Sequence, residues 1–131
     1  MDLIAGITGK QEQTVTSEQT ALTVGSGDLS VYATPMMAAL MEKAAAQSVQ
    51  PYLKEGESTV GTMIHINHNS ASPVGCKITA SSLLLEVSGK RLVFQVDAFD
   101  ESGRIGTGTH ERVIIDKERF LQKTKEKKGA V

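Results

Sequence analysis

VYATPMMAALMEKAAAQSVQPY, residues 31–52, reads as one helix, and the rest of the chain is organised around it. Thr34 is placed to cap the free N–H groups of the first turn, and Pro35 stands at the first helical position, where its missing N–H costs nothing. Met36, Met37, Leu40, Met41, Ala44, Ala45, Ser48 and Val49 recur at helical spacing, with small alanines between them. A helix apolar over most of its circumference is expected to be buried. One acid stands in it, Glu42, with Ala38, Ala39, Ala45 and Ala46 three and four residues away. Such surroundings predict a partly desolvated carboxylate, its pKa raised towards neutrality, able to act as base or nucleophile. The ordinary alternative is a solvated Glu on an outer helix face.

On either side of the helix the patterns are those of strands. An irregular arm (1–9) precedes KQEQTVTSEQTALTV, Lys10–Val24, which predicts one or two exposed strands. GSGDLS, Gly25–Ser30, is a loop, and Pro51 marks the end of the helix. Thr59–Asn69 alternates, with Ile64, Ile66 and His68 on one face and Met63, His65 and Asn67 on the other. Strands over Lys77–Val87, Arg91–Asp100 and Arg104–Asp116 follow, joined by turns at Ser88–Lys90 and Asp100–Gly103. A basic, helix-forming segment, Lys117–Lys128, follows the last of them. One strand, a helix and four successive strands imply an antiparallel sheet with the helix packed on it, an α+β fold.

At 131 residues the chain fits one domain, and its net charge of −1 gives nucleic acid no attraction. With no Trp, two Tyr and three Phe it also lacks a base-stacking surface. No apolar run approaches ~18 residues, so no membrane span is expected, and MDLIAGITGK lacks a signal-peptide pattern. The single cysteine, Cys76, excludes an intrachain disulfide and suits a reducing compartment, so the cytoplasm is expected. No metal or cofactor is expected either. His65 and His68 lie on opposite strand faces, and Cys76 stands alone. GTGTHE (106–111) lacks the third glycine and the strand-then-helix setting of a dinucleotide fingerprint.

Chemistry is left to a few side chains. Thr34 is a helix cap or a hydroxyl offered to substrate at the positive helix end. His68 faces inward as a core residue or as an acid/base. His110 and Arg112 share a face of the last strand with Gly106 and Gly108, where glycines mark either close approach of backbone or ligand or a bulge. Thr34 and Glu42 are eight residues apart, about 12 Å along a helix axis, and cannot touch. Joint action requires a bent helix start, a substrate that spans both, or two subunits.

Three segments taken together, VYATPMM with Glu42 beyond it, VGTMIHINHNSASPVG and IGTGTHERVII with its Lys-rich tail, resemble the fluoroacetyl-CoA thioesterase family of hotdog-fold proteins. The resemblance runs from about Val31 to Lys128. It implies a long central helix wrapped by an antiparallel sheet, in a homodimer or higher homo-oligomer with acyl-CoA sites between subunits. The family's catalytic Thr, Glu and His fall on Thr34, Glu42 and His68, and its substrate-contacting Gly and Arg on Gly61 and Arg112. The activity implied is hydrolysis of an acyl-CoA thioester, with Glu42 attacking the carbonyl or activating water, and His68 assisting proton transfer. The family's phenylalanines just before the helix, which cover the site, have no counterpart in GSGDLS. A general short-chain acyl-CoA thioesterase is therefore expected. The competing readings are a non-catalytic acyl-CoA binding module and a hotdog hydratase or dehydratase.

Overall fold

The computed structural model of the chain describes residues 2–129. Strand β1 (Thr8–Thr14) is followed by a 3-10 turn over Ser17–Gln19, one helical turn α1 (Ala21–Val24) and the long helix α2 (Thr34–Val49). Strands β2 (Glu57–His68), β3 (Lys77–Ser88), β4 (Arg91–Asp100) and β5 (Gly103–Asp116) come next, then helix α3 (Lys117–Glu126). The strands form one sheet in the order β1-β3-β4-β5-β2, antiparallel throughout. Four of them, β1 to β4, pack against α2. This is the helix-in-sheet architecture expected of a hotdog protein.

Apolar spacing explains the packing. Met37, Leu40, Met41, Ala44, Ala45 and Val49 form the buried stripe of α2. They meet Ile78, Ala80 and Leu84 of β3 and the alternating Leu92, Phe94, Val96 and Ala98 of β4 in one core. Each large side chain buried there contributes about 1.5–3 kcal/mol. The sheet covers only one side of the helix, however. Pro35, Ala39, Lys43 and Gln47 are exposed, so α2 is not enclosed over most of its circumference.

Two local expectations are corrected. Thr8 and Gly9 already belong to β1, and no second strand forms after it. The threonines there bond locally instead. The Thr16 N–H donates to Gln19 Oε1 at 3.1 Å, the Thr20 hydroxyl donates to the Ser17 carbonyl at 2.9 Å, and the Thr23 N–H donates to Thr20 Oγ1. Such bonds turn a backbone that would otherwise extend.

Two features of β2 and β5 position the site. The register steps from Gly61↔Arg112 to Met63↔Glu111, leaving Thr62 as a one-residue bulge in β2. In β5, a Cβ on Gly106 would lie 2.7 Å from Met37 Sδ and 2.8 Å from the Asn67 carbonyl oxygen, and one on Gly108 would overlap the His65 carbonyl. These glycines therefore serve close approach of α2 and β2 to β5. Among the described residues no helix is long and apolar enough to cross a membrane.

Candidate active site

The five candidate residues fall into two groups on α2. The first lies at the start of the helix. The residue that caps α2 is Ala33, not Thr34, and no side chain closes the helix start. Thr34 is the first helical residue, with Pro35 behind it, and its hydroxyl is free for another partner. That partner is His68, at the end of β2: Thr34 Oγ1 lies 2.8 Å from His68 Nδ1.

The His68 ring is held from several sides. Tyr32, itself fully buried, meets it edge-on at 6.4 Å between ring centroids, and the Tyr32 hydroxyl donates to Gln13 Oε1 on β1. Burial holds the imidazole below its ordinary pKa, opposed by the backbone of Ser70 beside the ring. A neutral ring at pH 7 follows. Its Nε2 is buried and has no hydrogen-bond partner in the protein. Thr34 and His68 line an open cleft of about 270 Å³ together with Ala21, Ser26, Val31 and Ser70. The loop over it carries no aromatic side chain.

The second group lies two turns along α2. Glu42 projects from the open side of the helix towards the middle of β2 and β5, with Oε1 at 3.7 Å from Arg112 Nη1. The expectation of an acid walled by alanines is not met. The Glu42 side chain is 41% exposed, and its nearest charge is a guanidinium. Arg112 is buried and held on three sides. Its Nε donates to Thr59 Oγ1 at 2.8 Å, its Nη2 to the Thr59 carbonyl at 3.0 Å, and Nη1 lies 3.1 Å from His110 Nε2.

His110 Nδ1 lies 2.8 Å from the Met63 carbonyl, so Nδ1 carries the proton and Nε2 accepts from Arg112. Burial is the main cause that holds His110 below its ordinary pKa; the Met63 carbonyl raises it, Arg112 lowers it, and Glu42 raises it. Burial likewise lowers the Arg112 pKa against the pull of Glu42. Arginine starts so far above neutrality that it stays charged. Gly61 completes this group, because a Cβ there would stand 3.0 Å from Glu42 Oε1.

Thr34 with His68, and Glu42 with Gly61 and Arg112, are thus two separate clusters. Within one chain they do not meet, as the eight-residue spacing on the helix requires. Sequence reasoning missed Thr59 and Tyr32. Thr59 had a signal, since it stands two residues before Gly61 in the same strand. For Tyr32, buried two residues before Thr34, the sequence carried none beyond proximity.

Comparison with known proteins follows this geometry. Residues 15–118 match the family model described as fluoroacetyl-CoA-specific thioesterase. The chain is 42% identical over 100 residues to the fluoroacetyl-CoA thioesterase of Streptantibioticus cattleyicolor, covering 76% of this chain and 72% of that protein. It is similar to a solved structure of the fluoroacetyl-CoA thioesterase FlK, with a TM-score of 0.91 at 33% identity, over 97% of this chain and 98% of that one. A thioesterase superfamily member from Thermus thermophilus gives a TM-score of 0.89 at 31% identity over the whole of both chains.

Proposed function

Since the chain belongs to the fluoroacetyl-CoA-specific thioesterase family, we propose that it hydrolyses a short-chain acyl-CoA thioester to the free acid and CoA, with Thr34, Glu42 and His68 as catalytic residues and Gly61 and Arg112 holding substrate. The observation that carries this reading is the Thr34–His68 pair, 2.8 Å apart, whose neutral imidazole lines an open cleft. A binding module would need neither the proton carrier nor the carboxylate beside Arg112.

The two half-sites act together across a homodimer. β2 is a sheet edge, paired only with β5, and an edge is a template for a second strand. A two-fold axis through β2 near His65 brings His68 of one protomer opposite the Gly61–Thr62 bulge of its partner. Thr34 and His68 then face the partner's Glu42 across one acyl group.

In that site Glu42 adds to the thioester carbonyl carbon, or takes a proton from a water that adds there. The carbonyl oxygen becomes an oxyanion, which the uncapped N-terminus of α2 and the backbone N–H groups about Gly61 stabilise. The carbon–sulfur bond breaks, and the departing CoA sulfur takes its proton by way of His68. Where Glu42 has added, water then cleaves the acyl–Glu42 anhydride, freeing the acid, restoring the carboxylate and returning a proton to His68. Thr34 holds the ring through Nδ1. Arg112, fixed by Thr59 and His110, aims Glu42.

The same hydroxyl–imidazole distance favours a second reading, in which Thr34 is the nucleophile and His68 its base. Thr34→Ser retains activity under that reading and Thr34→Ala abolishes it. The lack of an aromatic in the Gly25–Ser30 loop supports a general short-chain substrate rather than one selected for fluorine. A cytoplasmic location agrees with the free Cys76.

The test is thiol release from acyl-CoAs of graded length, fluoroacetyl-CoA included, by wild type and Glu42→Ala. Turnover of a short-chain ester that collapses in the variant is expected. Turnover that survives in Glu42→Ala removes Glu42 from the chemistry, and CoA-ester binding without any release leaves a binding module.

A further inference from the structure

Helix α3 leaves the sheet directly from β5, and an open cleft of about 260 Å³ lies in the angle between them. Its apolar floor is made by Ile115 and Phe120, with Phe120 38% exposed, while Ile114 turns to the core. Its rim is cationic, made by Lys90, Arg119 and Lys123. Arg119 and Lys123 stand four residues apart on one helix face, a like-charged pair that weakens a helix, although Lys123 in the last turn also suits the helix dipole.

Among the described residues neither Arg119 nor Lys123 makes an ion pair, and Lys90 reaches Glu57 only at 4.0 Å. The one carboxylate in the lining, Asp116, accepts from the Arg119 backbone N–H at 3.0 Å as the cap of α3. The cleft thus offers three cations with little to neutralise them, set around a flat aromatic and one aliphatic side chain. A solvated basic face would lack that floor.

We propose that this cleft seats the nucleotide end of CoA, with the adenine on Phe120 and Ile115 and the phosphates among Lys90, Arg119 and Lys123. The inference rests on the thioesterase reading and extends it to the far end of the substrate. β5 supplies the ruler. Arg112, beside Glu42, and Asp116, in the cleft, are four residues apart on that strand, about 13 Å. An extended pantetheine arm bridges that span. Arginine suits a phosphate partner through its planar fork, and the aromatic ring suits a base through stacking.

The experiment compares acyl-CoA with the matching acyl-pantetheine thioester, for wild type, Arg119→Ala/Lys123→Ala and Phe120→Ala. These side chains are exposed on α3, away from the core, so the variants are expected to fold. The KM for acyl-CoA should rise about tenfold in the double variant, at unchanged kcat, while the acyl-pantetheine KM stays the same. The difference should shrink as ionic strength rises from about 0.01 M to about 1 M. An unchanged KM for acyl-CoA in the double variant overturns the proposal. So does a Phe120→Ala variant that alters only the oligomeric state, which would make the cleft a contact between copies. Absence of turnover in wild type would instead overturn the thioesterase reading. Titration with CoA alone then decides on the cleft: weaker binding by the double variant supports it and equal binding refutes it.

Discussion

One methyl group added at Gly61 is expected to lower turnover far more than stability. The new Cβ of Gly61→Ala would stand 3.0 Å from Glu42 Oε1, 3.2 Å from His110 Cε1 and 3.3 Å from Arg112 Nη1, where ordinary contact begins at 3.4 Å. The three neighbours do not yield alike. His110 is fixed by the Met63 carbonyl and Arg112, and Arg112 by two bonds to Thr59. Glu42 is 41% exposed and tied only by an ion pair at 3.7 Å, so the carboxylate retreats, by about 0.4 Å. A misplacement of about 1 Å costs roughly 10²-fold in rate, so about 0.4 Å should cost about fivefold to tenfold in kcat. Replacing a strand glycine gains roughly 0.5–1 kcal/mol, and the exposed Glu42 yields, so the tight contact costs only the low end of about 1–3 kcal/mol and stability stays nearly balanced. Thiol release at saturating acyl-CoA gives kcat, and urea unfolding gives the stability. A kcat within about twofold of wild type, in a protein that folds normally, would refute the placement of the reacting carboxylate against Gly61.

Gly106→Ala should act on both quantities, because its Cβ would press on the Asn67 carbonyl as well as on Met37, and Gly106 is the register partner of His68. A loss of about 1–3 kcal/mol by urea unfolding is expected, together with reduced thiol release; unchanged stability would deny the close approach. His68 and His110 both have pKa values lowered chiefly by burial. The unfolded chain therefore binds more protons as pH falls through about 6.5, so their contribution is complete above that value and declines on acidification towards the folded pKa values. Urea midpoints should be lower at about pH 5.5 than at about pH 7.5, and His110→Gln should flatten the difference. Equal slopes in wild type and variant would show that His110 is not held neutral.

Much of the fold was legible because the signals were local. Pro35, the apolar stripe from Met37 to Val49 and the alternation of Leu92, Phe94, Val96 and Ala98 each encode an element without reference to any other. Resemblance named Thr34 and His68, which the fold brings within 2.8 Å, and the separation of Thr34 from Glu42 on the helix followed from arithmetic alone. What stayed hidden depends on register. Ala33 rather than Thr34 caps the helix, and the Thr34 hydroxyl instead meets His68, which arrives from a strand over thirty residues away. The network that aims Glu42 needs Thr59, His110 and Met63 brought together from two strands. The exposed flank of Glu42 was misread because small neighbours signal burial only when something covers them.

A pleated strand counts in twos, and β2 has to count correctly for both halves of the site. Gly61 and His68 are seven residues apart, an odd number, so an unbroken strand would turn them to opposite faces. Both face α2, because the single extra residue at Thr62 resets the count between them. Thr62 works as a punctuation mark whose presence matters more than its spelling. Its exposed hydroxyl makes one long bond, 3.3 Å to the Glu111 carbonyl. The strand can take many residues at this place but cannot lose the place itself. A one-residue deletion there would leave every side chain of the site in the chain and half of them on the wrong side of the sheet.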